Sequence, residues 1–351
     1  MNGVICIYKE KGYTSFDVVA IMRRFCGTKK IGHGGTLDPM AEGVLPIFVG
    51  NATKAVDYCP DNTKEYRAGI RFGITTDTQD FTGKVLSEND TPVSNNAQYM
   101  LKSRFTGKIL QKPPMYSAVQ VDGKRLYELA RKGIEIDRDP REVTINSITF
   151  EEFGNNTATM LVSCSKGTYI RTLIHDMGEE LGTGAIMTSL TRTRSGNFTL
   201  RDCYTLQEIR EASEAGGQDA VEKLLMPIDI IFNALPAARL TEQQTRLFLN
   251  GVVLDISRVA LDRPEGPYRV LSSDGNVLGI ANNGIGNADL AVIQRFFSTP
   301  EKKPEEPKPQ SEQAENKENV TAGERKTAKE EDNDIPHLKP VSELKGMKIV
   351  Q

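Results

Sequence analysis

Two segments in the first two thirds of the chain carry apolar residues at helical spacing. The first follows Thr14, with Asp17 placed to complete a capping box, and ends at Gly27; its apolar positions are Val18, Ile21, Met22 and Phe25. The second follows Thr168, and its apolar positions are Ile170, Leu173, Ile174, Met177 and Leu181. Because residues three and four apart share one face of a helix, each segment predicts an amphipathic helix packed on a core.

Alternating apolar and polar residues predict strands between these helices. Residues 66–74 have apolar side chains at every second position, and residues 160–164 repeat the pattern. Successive side chains on a strand point to opposite faces, so this alternation is typical of a sheet with one buried face. The combination of helices and strands predicts an α+β fold.

Two changes of pattern divide the chain. Pro227 and Pro236 bracket an apolar run, after which Thr241 begins a new helix signal and residues 268–281 read as a β-hairpin. We therefore predict a large domain at residues 1–235 and a small β-rich domain at 236–297. Residues 298–351 have almost no large apolar side chains, which predicts a disordered low-complexity tail.

Composition excludes several classes of protein. The 351 residues include 44 Lys and Arg against 47 Asp and Glu, a net charge of −3, which excludes a globally basic protein. The five cysteines form no C-x-x-C pair and no zinc-type cluster with histidine, so we expect reduced thiols and no metal site. No apolar run reaches the roughly 18 residues of a membrane helix. We expect a cytoplasmic protein without a membrane anchor.

Positive charge is concentrated in one stretch. Between Lys102 and Arg141 there are ten basic and five acidic residues, and the loop Pro113–Tyr116 adds an aromatic side chain. This polarity is typical of a surface that binds a polyanion, although solvated helix faces carry similar runs of charge. We predict an RNA-binding insertion around residues 100–141, with Lys124 and Arg125 among the residues that bind the substrate.

The most unusual segment is the glycine-rich loop at residues 31–43, which contains Asp38 before Pro39. Glycines let the backbone approach a ligand, and proline keeps the preceding residue extended, so the loop presents a carboxylate from a stiff support. The loop matches neither phosphate-binding glycine pattern. An isolated Asp-Pro pair would ordinarily be a simple turn.

Four sequence blocks resemble those of the TruB-type pseudouridine synthases, which isomerise a uridine in the T-loop of transfer RNA. They are GHGGTLDPMAEGVLP, KEYRAGIRFGITTDTQDFTG, PPMYSAVQVDGKRLYELARKG and CSKGTYIRTLIHDMGEELG, in family order. The resemblance covers residues 1 to about 230 and implies a pseudouridine-synthase fold with a central mixed, largely antiparallel sheet flanked by helices. The later DGNVLGIA hairpin resembles the PUA-like RNA-binding unit of bacterial members.

The resemblance implies catalytic roles for Asp38, Tyr66 and Arg171. Asp38 would act on uridine at position 55, Arg171 would pair with its carboxylate, and Tyr66 would stack on the flipped uracil. The aspartate could attack C1′, add to the ring or take the 2′ proton, and the residues do not choose among these routes. The isomerisation needs no metal and no nucleotide cofactor.

The same resemblance assigns substrate contacts to His33, Tyr169 and Leu190. His33 would pack against the opened T-loop, while Tyr169 and Leu190 would line the uracil pocket. Where many relatives have threonine after this histidine, the present chain has Gly34, which loosens the inference about neighbouring contacts. Asp77 and Asp80 are interpreted as hairpin-turn residues near RNA.

Three other functions compete with this interpretation. A non-catalytic RNA-binding or RNA-folding module would also need the basic stretch and the PUA-like unit. A guide-RNA-dependent synthase would share the Asp38 loop, and a carboxylate glycosidase would need a second well-placed acid. We predict a monomer that acts on the T-arm of transfer RNA; protein partners are not evident from the sequence.

Overall fold

A computed structural model describes residues 1–121, 123–284 and 289–297. The predicted tail at residues 298–351 lies outside these ranges. The strands are β1 (Gly3–Lys9), β2 (Ile31–His33), β3 (Glu42–Val49), β4 (Lys64–Phe72), β5 (Ile74–Thr76), β6 (Val85–Glu88), β7 (Gly107–Gln111), β8 (Gln120–Val121), β9 (Lys124–Arg125), β10 (Arg141–Phe153), β11 (Thr157–Cys164), β12 (Ala185–Ser195), β13 (Phe198–Thr199), β14 (Cys203–Tyr204), β15 (Ala237–Arg239), β16 (Leu254–Asp255), β17 (Ala260–Leu261), β18 (Tyr268–Leu271), β19 (Val277–Asn283) and β20 (Asp289–Arg295).

The helices are α1 (Ser15–Cys26), α2 (Ala97–Phe105), α3 (Leu126–Ala130), α4 (Ile170–Leu181), α5 (Leu206–Glu222), α6 (Asp229–Phe232) and α7 (Glu242–Leu249). Three 3₁₀ segments accompany them, at Gly50–Tyr58, Leu200–Asp202 and Ile256–Arg258. The capping box predicted for α1 is present, because the Thr14 hydroxyl accepts from the backbone of Asp17 and the Asp17 carboxylate accepts from the backbone of Thr14.

Within the described ranges, the larger sheet has the order β14-β1-β3-β12-β4-β11-β10-β7, with β2 paired to β3 and β13 to β12. Only the β1–β14 and β3–β12 pairs are parallel. The sheet is therefore mixed and largely antiparallel, as the sequence predicted. Its central strands β3, β4 and β12 meet beside the loop that contains Asp38.

Helix α4 packs its apolar stripe against this sheet. Ile170, Leu173, Ile174 and Met177 are at most 3% exposed and share a core with side chains of β4, β11 and β12. Each fully buried side chain of this size contributes about 1.5–3 kcal/mol relative to exposure. Burial of the stripe holds the first turn of α4, and with it Arg171, against the sheet.

A second sheet, with the order β16-β20-β19-β18-β15-β17, follows in the chain. The predicted hairpin is formed by β18 and β19, and Leu271, Val277 and Phe296 pack in one core with residues of β1 and β3. The two sheets are thus joined by apolar contacts. The boundary near residue 235 stays a prediction.

Candidate active site

The loop between β2 and β3 presents Asp38 because both of its flanks are held. Leu37 and Ala41 are 3% and 0% exposed and anchor the loop in the core beside α4. The Ser15 hydroxyl, at the start of α1, accepts from the Leu37 backbone at 2.8 Å and donates to the Leu37 carbonyl at 3.2 Å. Burial on either side leaves the Asp38 side chain 37% exposed.

The loop returns to the sheet at Gly43, where a side chain would not fit. Gly43 has a φ of +104°, and a Cβ atom built there would collide with the backbone carbonyl of Arg192 on β12. Glycine therefore allows β3 to run close beside β12.

Arg171, the second residue of α4, lies against Asp38. Its Nε donates to Asp38 Oδ2 at 2.9 Å, and its terminal nitrogens donate to the carbonyls of Thr78 and Tyr116 at 2.9 and 2.8 Å. The side chain is 5% exposed. Three hydrogen bonds in different directions fix the guanidinium, so it orients the carboxylate rigidly.

The other Asp38 oxygen, Oδ1, accepts no hydrogen bond from any described side chain or backbone group and remains available to a substrate. Asp38, Tyr66, Tyr169, Arg171 and Leu190 all line one cavity of about 380 Å³, called the Asp38 cavity below. This volume is within the range of small-molecule sites, roughly 300–1,000 Å³. Five of the eight predicted site residues are thus brought together.

Asp80 lies in the connection between β5 and β6, as the sequence predicts, but it also reaches the active site. Asp77 lies in the same connection, whereas Asp80 is 4% exposed and its Oδ2 lies 3.8 Å from Arg171 Nε. Its Oδ1 accepts from Thr78 Oγ1 at 2.8 Å and from the Thr82 backbone at 2.9 Å. Asp80 is therefore a second acid beside the guanidinium, brought there by a bridge to Met187 of β12.

Tyr66 and Tyr169 form the aromatic part of the cavity. Burial raises the pKa of the Tyr66 phenol, while the neighbouring guanidinium of Arg192 acts in the opposite direction. Tyr169 is fixed through its backbone, which donates to Gln111 Oε1 at 2.8 Å and accepts from Gln111 Nε2 at 3.0 Å. The Ser117 hydroxyl, buried in the same lining, has no hydrogen-bond partner among the described atoms and can donate to a bound molecule.

Three further cations, none of them named as a site residue from the sequence, donate to backbone carbonyls of the Asp38 loop. Arg192 is 1% exposed and donates to the carbonyls of Val44, Gly35 and Thr36 at 2.7, 3.1 and 3.4 Å. Lys9 Nζ lies 3.5 Å from the Pro39 carbonyl, and Lys64 Nζ lies 3.3 Å from the Gly34 carbonyl. Together with Arg171 these residues are called the inner cations. The sequence contains a weak indication that two of them belong to the site. Lys64 and Arg192 each stand two positions from a predicted pocket residue on the same strand.

Three predicted contacts lie outside the lining of the Asp38 cavity. His33 is half-buried on β2, its Nδ1 accepts from the Gly35 backbone at 3.3 Å, and burial together with Arg192 lowers its pKa. A neutral imidazole that accepts this bond supports the loop. Lys124 and Arg125 are exposed on β9, where Arg125 lies over the Tyr127 ring at 6.0 Å.

The basic stretch is mostly surface. Four of its ten cations pair with acids, namely Arg104, Lys108, Lys112 and Arg138. The other six are exposed and have no salt-bridge partner among the residues described; we call them the outer cations: Lys102, Lys124, Arg125, Arg131, Lys132 and Arg141. Arg131 lies 5.5 Å from the Tyr127 ring, so this surface combines positive charge with an aromatic face.

Metal-ligand clusters and membrane-spanning helices are both absent from the described part of the chain. No group of three or more His, Cys, Asp or Glu side chains there could hold a metal ion. None of the helices in that part is long and apolar enough to cross a membrane.

Comparisons with known proteins identify the family of this chain. Residues 23–170 match the model for TruB family pseudouridylate synthase (N terminal domain), and residues 171–233 match the tRNA pseudouridylate synthase B C-terminal domain. Relatives named tRNA pseudouridine synthase B include one from Clostridium perfringens, 43% identical over 284 residues that cover 80% of this chain and 94% of the relative. One from Bacillus pumilus is 44% identical over 283 residues, 76% of this chain and 91% of the relative.

Solved structures support the same fold. A chain of the archaeal box H/ACA sRNP Nop10-Cbf5 complex has a TM-score of 0.64 at 24% identity, covering 84% of this chain and 86% of that one. A chain of a Cbf5-Nop10-Gar1 complex has a TM-score of 0.65 at 26% identity, covering 84% and 85%. The matches to the family models and to relatives over most of the length establish that this chain belongs to the TruB family of pseudouridylate synthases.

Proposed function

We propose that this protein converts uridine to pseudouridine at position 55 in the T-loop of transfer RNA, with Asp38 as the catalytic residue. The observation that carries the proposal is the Asp38 carboxylate in a nucleoside-sized cavity, with one oxygen held by Arg171 and the other open to the cavity. The names of the relatives support transfer RNA as the substrate.

The reaction breaks the glycosidic bond between C1′ and N1, turns the uracil, and joins its C5 to C1′. It is an isomerisation without net oxidation or hydrolysis, so side chains alone suffice for it. Asp38 acts as a nucleophile at C1′, as a nucleophile at the ring, or as the base for the 2′ proton. In every route the Arg171 guanidinium holds the carboxylate in place while the base turns.

Tyr66 is proposed to stack on the flipped uracil and to receive the proton from C5 when the new ring becomes aromatic. A base stacked on the buried phenol would lie in the cavity that Asp38 and Leu190 also line. Arg192 favours the phenolate form that a proton acceptor needs, because its positive charge opposes the effect of burial. The target nucleotide must leave its stack to reach this depth, which is base flipping.

The outer cations are proposed to bind the T-arm backbone as an RNA-binding insertion at residues 100–141. Six exposed cations, for which the described residues supply no salt-bridge partner, provide charge for phosphates, and Tyr127 provides a stacking surface. The sheet of β15 to β20 is proposed to be the PUA-like RNA-binding domain. We further propose that the protein acts as a cytoplasmic monomer without a guide RNA.

The test is incubation of the purified protein with an unmodified transfer RNA, followed by mapping of new pseudouridine. The wild-type protein should modify position 55 in the presence of a metal chelator, provided that the RNA keeps its fold. Asp38→Asn keeps the shape of the side chain and should abolish product while RNA binding survives. Product from Asp38→Asn would refute the catalytic role, and a requirement for a guide RNA would refute independent action.

A further inference from the structure

The Lys64 side chain is half-buried, and its ammonium has less compensation than a partly desolvated charge needs. Its Nζ contacts the Ser195 hydroxyl at 2.8 Å and the Gly34 carbonyl at 3.3 Å. Both partners are neutral, and no carboxylate within 4.0 Å was found in the described ranges. An ammonium has three N–H donors, so one remains unused in the wall of the Asp38 cavity. Burying a charge without a counter-charge is costly, which favours a site that an anion completes.

The position of Lys64 relative to Tyr66 indicates which anion could bind to it. The two residues are two apart on β4, so their side chains project from the same face about 6.7 Å apart along the strand. Both line the Asp38 cavity. A uracil stacked on Tyr66 would place the sugar and phosphate of its own nucleotide at about this distance from the Tyr66 ring, where Lys64 could reach them. This step rests on the proposed function.

The neighbours of Lys64 increase its attraction for a phosphate. A Cβ atom on Gly35 would lie 3.9 Å from Lys64 Cε and 3.6 Å from Arg192 Nη1. The two cations therefore both lie close to Gly35, which has no side chain between them. Asp61, an acid whose charge acts on Lys64, already has other partners, since Arg194 donates to it at 3.0 Å and the Thr63 backbone donates at 2.8 Å. The Ser195 hydroxyl accepts from Lys64 and keeps its own proton to donate.

We propose that Lys64, supported by Ser195, binds a backbone phosphate next to the target uridine and so places the flipped nucleotide over Asp38. The competing explanation is that Lys64 only braces the Gly34 carbonyl. A bracing residue would affect all RNAs equally, whereas a phosphate ligand would be sensitive to the charge of one linkage.

The experiment is a double-mutant cycle between the protein and a T-arm hairpin. One phosphate, either 5′ or 3′ of the target uridine, is replaced by a neutral methylphosphonate. The sugar before each linkage is 2′-O-methylated, because a free 2′-hydroxyl would cleave the linkage, and the control hairpin carries the same sugar with an ordinary phosphate. Affinities are measured for wild type, Lys64→Met, Lys64→Arg and Lys166→Met. Lys166 is the matched control, an exposed lysine at the rim of the same cavity.

For one of the two linkages, wild type should lose about ten- to hundredfold in affinity, the range for a hydrogen bond to a charged group. Lys64→Met should show a similar loss on the control hairpin and no further loss on the methylphosphonate. Lys64→Arg keeps a charge, so its affinity should still fall when the phosphate is replaced by the methylphosphonate. In Lys166→Met, the loss caused by the substitution and the loss caused by the methylphosphonate should multiply. The proposal would be overturned if the two losses multiplied in Lys64→Met. It would also be overturned if the methylphosphonate effect disappeared in Lys166→Met instead.

Failure of the proposed function is distinguishable. Conversion of the unmodified hairpin by the wild-type protein is measured separately, and its absence would refute the function without bearing on the cycle. Thermal unfolding confirms that each variant is folded. If Lys64→Met does not fold, the affinity loss caused by the methylphosphonate is measured in Lys64→Arg and in Ser195→Ala. A folded Lys64→Arg protein whose affinity is insensitive to the methylphosphonate would also overturn the proposal.

Discussion

The inner and outer cations of this protein are the same residue types with opposite surroundings. The inner cations lie on β1, β4, β12 and α4, and each donates to the Asp38 loop or to Asp38 itself. The outer cations are exposed and have no salt-bridge partner within the described ranges. Interactions between buried charges are screened little by salt, whereas those of exposed charges fall off over a Debye length. We therefore expect the inner cations to fix the geometry of the site around Asp38 and the outer cations to determine the affinity for RNA.

The largest effect is expected at Arg171. Arg171→Met removes three hydrogen bonds and leaves Asp80 buried without its cation. Breaking one side of a buried pair should lower the stability of the fold by about 3–5 kcal/mol. Because the Asp38 carboxylate also loses the donor that orients it, we expect the single-turnover rate at saturating enzyme to fall at least about a hundredfold. Arg104→Met, which removes an exposed arginine paired with Glu180, is the control and should change the rate less than about twofold. Equal losses in both variants would contradict the comparison.

Arg192 should come next, with its effect divided between stability and rate. Arg192→Met leaves two carbonyls of the loop and the Val44 carbonyl of β3 without this donor, at about 1–3 kcal/mol for each unsatisfied group. We expect the free energy of unfolding in urea to fall by about 3 kcal/mol or more. Arg194→Met, two positions along β12, removes the half-exposed pair with Asp61 and a part-buried hydrogen bond to the Gly196 carbonyl, and should cost about 1 kcal/mol. A small cost at Arg192 would mean that the loop holds its shape without the cation.

The sequence revealed the outer cations and largely missed the inner ones, for a physical reason. Charge density is a local property, so ten basic residues in one stretch are visible without a structure. Lys9, Lys64 and Arg192 lie outside that stretch and far from one another in the chain, and they meet only because the strand order places β1, β3, β12 and β4 side by side. The elements were predictable from periodicity, as α1, α4 and β4 show.

Asp80 shows the same limit in one residue. Its turn was predictable from local sequence, but its burial beside Arg171 depends on a bridge to Met187, more than 100 positions away. The pairing of Asp38 with Arg171 was expected only through the family resemblance. Neither contact follows from composition or spacing.

The pH dependence of RNA binding sharpens the comparison, because burial lowers the pKa of Lys64 to about 8 while exposed lysines titrate far higher. A lysine is charged below its pKa, so raising the pH from 7 to 9 should discharge Lys64 in the free protein and weaken hairpin binding about tenfold. Of the groups facing it, Arg192 is a guanidinium, and hydrogen bonds from Thr63 together with the nearby Arg194 lower the pKa of Asp61. Burial raises the pKa values of the Cys59 and Cys164 thiols to about 11.

Lys64→Arg provides the control for this pH prediction, since an arginine stays charged to pH 12. It should bind the hairpin with little change between pH 7 and 9. Burial also lowers the pKa of Lys9 to about 8, so any pH dependence that survives in Lys64→Arg reports on Lys9 or another group. An unchanged pH profile in Lys64→Arg would remove Lys64 from the explanation.

The smallest effect is expected from the outer cations, and it should differ in kind. Arg131→Ala combined with Lys132→Ala should weaken transfer RNA binding a few-fold at about 0.1 M salt and leave the saturated rate unchanged. Each lost phosphate contact should reduce the slope of log affinity against log salt by about 0.7 to 0.9. Lys108→Ala, whose lysine already pairs with Glu142 at 3.0 Å, should change that slope less. A reduced saturated rate with an unchanged salt slope would show that these residues act on geometry, and the distinction between the two groups of cations would fail.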